Sequence, residues 1–405
     1  MKLFMLLGEN NGVLGLRVFI PALIFIFGVS VANTLPISIQ LFYFIFSIFV
    51  AIFLKLPYSS KEFYGIALLI IYAIVISGGS IELTLKFIRP LIEGFLIAVI
   101  LYHFKYVKTP DDCYKILFIF LFFQALLSIL MFVFPEQRSW LLSLLYNHLT
   151  YEGEAFQNAL SFRGYGLSQH HLYGLPMAAG LASALCIIGW NYNNTITISL
   201  LLLMGFFISL LNGRIGCIPI IFAIIQTCTL SIRISRLKAY FFLGLLAVFF
   251  IIIFLILEIR LESAVLIRWW VTGVTQFFNN EPEELTTISD LNLMLHWPES
   301  FFGWVFGGGH VCSLDSQCYS DIGFIRLLQQ GGLGLLFLLM YLYYLLFVSA
   351  SRFLAQSKKQ FVMILSLFIS VFLIATMKGE SYASSDFSRM FITISFIGLF
   401  LKKRD

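Results

Sequence analysis

The residues of this sequence that are best suited to chemistry are arginines placed at the ends of apolar segments. Arg214 lies in the tight turn 212–216 between two apolar segments, and Arg326 follows the polar residues Ser320 and Asp321. Lys378 and Arg389 flank another short polar segment. The planar guanidinium of arginine binds two oxygens of a phosphate at once, so a group of arginines on one face indicates a polyanionic ligand.

A second group of candidate residues precedes the apolar segment that begins near residue 171. It contains Arg163, the adjacent His170 and His171, and Tyr173, with glycines between them. Histidine is the side chain most easily poised for proton transfer near neutral pH, which indicates a binding or catalytic role. The alternative is an interfacial belt, because Tyr and His often lie at the level of lipid headgroups.

A third group lies between residues 266 and 310. Arg268 is followed by two tryptophans, and His310 follows three consecutive glycines. Glycine-rich turns can direct backbone N–H groups at an anion, so we expect an anion-binding turn there. It is not a Walker loop, because no Gly-Lys-Ser/Thr follows. The acidic patch at 281–290 is most simply a solvated face. Asp, Glu and His show no metal-ligand spacing, so we predict neither a metal nor a cofactor.

The elements that must position these residues are membrane helices. Of the 405 residues, 60% are hydrophobic and only 12% are charged, against roughly 25% in soluble domains. The mean hydropathy is +0.93. A water-soluble fold has too little interior to hide this much apolar surface, so lipid must be the solvent. The formal charge of +5 then reflects basic cytoplasmic loops rather than nucleic-acid binding.

Apolar runs of about 20 residues predict an all-α polytopic protein with about twelve transmembrane helices. The predicted spans are 13–33, 36–54, 63–79, 87–104, 113–134, 171–190, 194–212, 214–232, 238–257, 322–349, 360–377 and 387–402. Spans 1 to 5 fill residues 1–134, spans 6 to 9 fill 171–257, and spans 10 to 12 fill 322–405. Long external loops over 135–170 and 258–321 separate these groups, and such long loops are usually functional.

The placement of Lys and Arg predicts that both termini are cytoplasmic. Ten of the 26 basic residues then remain on the external side, several of them within helix ends. They are Lys86, Arg89, Arg138, Arg163, Arg214, Arg260, Arg268, Arg326, Lys378 and Arg389. Each alone is explained by snorkelling or by pairing with Asp321, Glu380 or Asp386. Together they indicate an external anion site, and Glu93 and Gln124 are polar exceptions that indicate a polar cavity.

The cysteines suggest no metal site. Cys113, Cys186, Cys217 and Cys228 lie in or beside apolar spans and are predicted to be small core residues. Cys312 and Cys318 lie in the second long loop, where a disulfide and two free thiols are both open alternatives.

The arrangement resembles the Wzy-type O-antigen polymerases and the superfamily that they share with O-antigen ligases. The resemblance rests on the large external loop before the last three spans, the Asn-Gly-Arg turn at 212–214, the run from Arg268-Trp-Trp to the Phe-Gly turn and glycines at 302–309, and the segment 320–334. The spacing from Arg163 to Gly174 is similar to a pattern in external loops of some polymerases. After Arg268 the corresponding position 279 is Asn, so a second copy is not matched.

The resemblance implies a GT-C-like glycosyltransferase of the bacterial inner membrane that works on its periplasmic face. A glycan would pass from undecaprenyl diphosphate to the non-reducing end of another lipid-linked repeat unit, with a chain-length regulator as a further partner. Arg214 and Arg268 would contact the diphosphate, with Arg163 as a third contact. The remaining substrate candidates are His170, His171, Tyr173, Arg326, Lys378 and Arg389. The base is left open among His310, His171, His170 and Asp321.

Two other functions remain open from the sequence. An O-antigen ligase uses the same donor with a lipid A core acceptor. A transporter or flippase of lipid-linked oligosaccharides fits a twelve-span count, although the unequal halves and the long second loop favour a transferase.

Overall fold

A computed structural model describes residues 12–26, 60–79, 81–134, 140, 166, 168, 174–189, 195–229, 295–311, 320, 322–379, 382 and 386–402. All regular secondary structure within these residues is helical. The helices are α1 (Gly12–Ile26), α2 (Ser60–Ile76), α3 (Ile81–His103), α4 (Pro110–Val133), α5 (Gly174–Gly189), α6 (Thr195–Asn212), a 3-10 turn (Arg214–Gly216), α7 (Cys217–Thr229), α8 (Phe301–Phe306), α9 (Gly323–Leu354), α10 (Lys358–Lys378) and α11 (Asp386–Lys402).

The prediction of an all-α fold is confirmed for these residues. Among the described residues, three helical stretches are long and apolar enough to cross a membrane, namely Pro110–Met131, Gly323–Leu354 and Lys358–Lys378. Three shorter helices are also apolar, namely Gly174–Gly189, Thr197–Asn212 and Cys217–Thr227. Each predicted span coincides with a helix except 36–54 and 238–257, which lie outside the described residues. The count of twelve spans and the loop boundaries therefore stay predictions.

Helix ends follow ordinary capping rules where caps are visible. Thr109 caps α4 in a reciprocal capping box with Asp112, and Pro110 occupies the first turn. The Ser357 hydroxyl accepts a hydrogen bond from the backbone N–H of Gln360 at the start of α10. Only residues 355–357 link α9 to α10, and because this link is so short the two helices are antiparallel neighbours.

Paired residues show how the central helices run. Phe95 of α3 packs on Phe396 of α11, and Tyr102 packs on Phe400, so these two helices are parallel. α9 runs the same way, because Tyr343 packs on Phe391 and the Ser349 hydroxyl donates to the carbonyl of Ser395 further along. We call the end of the bundle that holds the N-termini of α3, α9 and α11 the site end.

The opposite end is fastened by side chains that bond to the last carbonyls of helices. The Tyr114 hydroxyl of α4 donates to the carbonyl of Leu354 at the end of α9 (2.8 Å). The Gln360 amide of α10 donates to the carbonyl of Ile188 in α5 (3.4 Å). These bonds place the start of α4 beside the ends of α5 and α9, so α4 and α10 run toward the site end.

α1 packs on α4 in an order that differs from the predicted topology. Phe19 contacts Phe123 and Phe25 contacts Phe120, with ring centroids 5.5 and 5.9 Å apart. These pairs run in opposite order along the two helices, whereas the twelve-span topology makes the two spans parallel. The cytoplasmic N-terminus therefore gains no support from this contact and stays a prediction.

Candidate functional site

An alternating chain of four charged side chains joins α3 to α11 at the site end. Nε of Arg389 lies 2.6 Å from Oε2 of Glu93, and Nε of Arg89 lies 2.9 Å from Oε1 of the same carboxylate. Nη1 of Arg389 lies 3.6 Å from Oδ1 of Asp386. The order Arg89–Glu93–Arg389–Asp386 gives each inner residue two partners of opposite charge, and the formal charges cancel.

The two helices come this close because α3 has a glycine at the crossing. A Cβ on Gly94 would lie 2.6 Å from Cγ2 of Ile392 and 3.2 Å from the backbone nitrogen of Thr393. Real Cβ atoms do not approach that closely, so any other residue at position 94 would push α11 away. The glycine therefore allows the neighbouring Glu93 to reach Arg389.

Burial differs along the ion chain, and this difference separates the roles of its arginines. The side chains of Arg389 and Asp386 are 0% exposed, that of Glu93 is 11% exposed, and that of Arg89 is 25% exposed. In the described part of the protein, Nη2 of Arg89 has no hydrogen-bond acceptor. Arg389 therefore holds two carboxylates from a fully buried position, whereas Arg89 is the more exposed of the two arginines, although its Nη2 atom is itself buried.

Tyr382 fastens the link between α10 and α11 to the same end. Its ring is fully buried and stacks on Phe87 of α3 with centroids 5.6 Å apart. Its backbone carbonyl accepts a hydrogen bond from the Tyr343 hydroxyl (2.8 Å), and its own hydroxyl donates to the carbonyl of Gly323 (3.4 Å). The start of α9 therefore lies next to the ion chain.

Arg326 and Lys378 also lie at the site end, in different settings. Nε of Arg326 donates to the carbonyl of Ser320, and the Ser320 hydroxyl accepts from the backbone N–H of Ile322 (3.1 Å). The half-buried Arg326 side chain thus folds back over the segment that leads into α9. Lys378 is exposed at the end of α10, and Gly379 beside it packs against Gly323.

The turn at Gly307–Gly309 does not present its backbone N–H groups to an anion, so that expectation is wrong. Gly308 N–H donates to the carbonyl of Gln329 (2.7 Å), and Gly309 N–H donates to that of Gln330 (2.9 Å). α9 has a break at Gly332, where φ is 63°. A helix break leaves carbonyls of the preceding helical turn without their usual donors, and the N–H groups of Gly308 and Gly309 replace these donors.

Tyr72 of α2 completes this junction, which we call the glycine junction. Its hydroxyl lies 3.0 Å from the carbonyl of Gly331 and 3.2 Å from that of Val305. Gly309, with φ 69°, lies so close to the carbonyl of Ile76 that a Cβ there would collide with it. α2, α9 and the segment 305–309 are thereby held together.

His310 is the candidate base that the structure describes. It is exposed, and its Nδ1 lies 2.9 Å from the carbonyl of Gly308. Because a carbonyl can only accept, Nδ1 must carry the proton and Nε2 is the basic nitrogen of the neutral ring. This tautomer suits a base that accepts a proton through Nε2.

The turn that carries Arg214 is held against the start of α5. A Cβ on Gly180 or on Gly216 would collide with backbone carbonyls across this contact. Gly213 N–H donates to the carbonyl of Ser209, which continues from α6 (2.8 Å). The backbone of the turn is therefore fixed, whereas the Arg214 side chain lies outside the described atoms.

The remaining candidates lie outside the described residues, namely Arg163, His170, His171, Tyr173, Arg268 and Asp321. Two residues between Arg163 and His170 are described, namely Gly166 and Ser168. Gly166 has φ 55° and lies against the Gln124 side chain of α4, and Ser168 is buried. Gly166 therefore lies against α4.

The sequence analysis predicted Arg389 as a substrate contact and gave pairing with Asp386 as an alternative. The structure contains the Arg389–Asp386 pair. It missed the role of Glu93, which had appeared only as a polar exception within a span. A usable signal was present, because Arg89 and Glu93 are four residues apart and so share one helix face. The cross-helix partner had no signal, since Arg389 is 296 residues away.

Comparison of the chain with protein-family models, with curated proteins and with solved structures gives no match. Among the described residues, no group of three or more His, Cys, Asp or Glu is arranged to hold a metal ion. Function must therefore be argued from the site itself.

Proposed function

We propose that this protein is a multi-pass glycosyltransferase of the O-antigen polymerase type in the bacterial inner membrane. Its donor is a glycan on undecaprenyl diphosphate, and its acceptor is the non-reducing end of another lipid-linked repeat unit. In this proposal the fold is GT-C-like, the C-terminus is cytoplasmic, and the site end faces the periplasm. The protein partner implied by the resemblance is a chain-length regulator.

The observation that carries the proposal is the ion chain, which fixes the guanidinium of Arg89, whose buried Nη2 bonds to no described acceptor. Arginines fixed in place before the reaction stabilise charge that develops on a leaving group without reorganising. Arg89 is held through Glu93, which is itself held by Arg389. In this proposal Arg89 contacts the diphosphate, and Glu93 and Arg389 position it.

The four charges of the ion chain cancel, so further cations must balance a diphosphate. Arg326 and Lys378 lie at the same end of the bundle, and the sequence adds Arg214, Arg268 and Arg163. His170, His171 and Tyr173 remain candidate contacts to the sugar portion.

The reaction needs one bond formed and one broken. The acceptor hydroxyl oxygen bonds to the anomeric carbon of the donor glycan, and the bond from that carbon to the diphosphate oxygen breaks with its electron pair. Undecaprenyl diphosphate leaves, and the hydroxyl proton passes to a base. His310 through Nε2 is our first candidate, and Asp321, His170 and His171 are the others.

The test is a lipopolysaccharide gel from a strain that lacks the gene. We expect a band of core plus a single repeat unit without the polymer ladder. The wild-type gene should restore the ladder, while Arg89→Ala, Arg214→Ala and Arg268→Ala proteins at equal membrane levels should not. Arg352→Ala is the matched control, because Arg352 is exposed at the opposite end of α9.

Other outcomes decide between the alternatives. A strain that keeps polymer on the lipid carrier but loses all O-antigen from the core would point to a ligase. A strain in which repeat units stay on the cytoplasmic face would point to a flippase. Restoration of the ladder by all three alanine variants would refute the diphosphate assignment.

A further inference from the structure

The last part of the second long loop exposes four large aromatic side chains within ten residues. The exposed fractions are 78% for Phe301, 72% for Phe302, 50% for Trp297 and 47% for Phe306. Such a concentration of exposed apolar surface in one short segment marks an interaction surface. It is distinct from the charged residues discussed above.

This segment is rigidly placed relative to the helices. The glycine junction fixes its end through the N–H groups of Gly308 and Gly309, and Tyr72 bonds to the carbonyl of Val305 within α8. The Ser300 hydroxyl caps α8 by accepting from the N–H of Gly303 (3.0 Å). The aromatic side chains are therefore presented at a fixed height along α9, next to Gly332.

That height corresponds to the edge of the hydrocarbon layer. Residues 333–354 alone form a helix about 33 Å long at 1.5 Å per residue, and a bilayer core is about 30 Å thick. Arg352, Lys358 and Lys359 surround the link to α10 and mark the headgroup level at the opposite end. The break at Gly332 then lies at the other boundary between acyl chains and headgroups.

Two exposed apolar stripes lead up to this point. On α2 the exposed side chains recur at helical spacing, and a second exposed stripe recurs at helical spacing on α9. The first stripe is Tyr64, Leu68, Ile71 and Val75, and the second is Phe337, Tyr341 and Tyr344. Both helices contact each other and meet α8 at the glycine junction, so the exposed aromatics of α8 continue a lipid-facing surface.

We propose that residues 297–306 form an interfacial anchor that inserts Phe301, Phe302 and Phe306 into the headgroup–acyl boundary of the leaflet at the site end. Aromatic side chains favour this boundary. Trp297 and Trp304 stack on each other (5.5 Å, 11° between planes), so one face of each ring is already covered. The anchor does not depend on the proposed transferase activity.

Photocrosslinking of full-length protein in vesicles of phosphatidylethanolamine and phosphatidylglycerol tests this proposal. Phe302 is replaced by p-benzoylphenylalanine, which keeps an aromatic side chain at an exposed position. Val75, 70% exposed on α2, is the lipid-facing control, and Lys108, exposed in the loop before α4, is the water-facing control. Intact-mass measurement after irradiation counts lipid adducts.

The quantity compared is the fraction of protein that carries a lipid adduct. We expect this fraction for the Phe302 variant to be within about twofold of that for the Val75 variant and several-fold above that for the Lys108 variant. A fraction no higher than that of Lys108 would overturn the proposal, as would crosslinks from Phe302 to protein instead of lipid. If the Phe302 variant is not monodisperse, the same substitution at Phe301 gives the same test at an independent exposed position.

Discussion

Replacing Arg389 by Met removes the cation that joins Glu93 to Asp386 inside the helix bundle. The substitution keeps a long apolar stem, so the lost feature is mainly the guanidinium. The four-residue ion chain then carries a net charge of −1, with both carboxylates at most 11% exposed. Removing one partner of a buried ion pair costs about 3 to 5 kcal/mol, because a charge is left uncompensated out of water.

A second substitution separates this electrostatic effect from lost packing. Adding Asp386→Asn to Arg389→Met returns the net charge of the chain to zero and leaves the Arg89–Glu93 pair intact. We therefore expect the double variant to recover part of the loss, with a coupling free energy of about 1 to 3 kcal/mol. Arg352→Met is the control, because an exposed arginine in the last turn of a helix contributes at most about 1 kcal/mol.

The measurement is unfolding by sodium dodecyl sulfate in dodecyl maltoside micelles, followed by circular dichroism. Labelling of the buried thiols Cys113, Cys186 and Cys217 by a maleimide dye reports the same transition independently, since these residues are free and buried as the sequence predicted. Two results would refute the reasoning: a loss for Arg389→Met no larger than that for Arg352→Met, or fully additive losses for Arg389→Met and Asp386→Asn.

Two further predictions concern the glycine junction. Gly309→Ala should destabilise the protein by more than Gly78→Ala. Both glycines have positive φ, but a Cβ at Gly78 meets nothing within 4 Å, so Gly78→Ala costs only about 1 kcal/mol of backbone strain. Equal unfolding midpoints for the two variants in the same micelle titration would contradict the close packing of Gly309 in the glycine junction. Tyr72→Phe removes the single hydroxyl proton that the carbonyls of Gly331 and Val305 share, and it should lower the unfolding free energy by about 1 to 3 kcal/mol because buried acceptors are left unsatisfied. Tyr64→Phe on the exposed face of the same helix should leave the unfolding free energy unchanged within error, and the reasoning fails if the two variants behave alike.

Helix positions were predictable because one strong rule governs them. A backbone in lipid must satisfy its own hydrogen bonds, so apolar runs of about 20 residues become helices. The predicted span 360–377 became Lys358–Lys378, and 387–402 became Asp386–Lys402. α3 began six residues earlier than predicted, at Ile81, because the helix continues through the charged residues Glu82 and Lys86, which the apolar pattern excluded.

Long-range contacts were not predictable in the same way. The three glycines 307–309 allow many backbone conformations and offer several N–H donors. These donors could equally bind an anion or bond to carbonyls that a break in a distant helix leaves without partners. The choice depends on Gly332, whose φ of 63° frees the carbonyls of Gln329 and Gln330. Nothing local to either segment indicates the other, because the pairing depends on how α2 and α9 pack.

The different burial of Arg389 and Arg89 changes which arginine should be expected to touch a ligand. A side chain that is 0% exposed and shared by two carboxylates cannot contact a diphosphate unless α3 and α11 separate, and Gly94 makes their contact tight. In the proposed function Arg389 is therefore a positioning residue, and its loss should alter Arg89 through Glu93. Because the formal charges of the ion chain sum to zero, a diphosphate at Arg89 would be stabilised further by a cation from outside the chain. In the proposed function Arg326 is a further cation at the site end, since it lies at the start of α9, which Tyr382 links to α3.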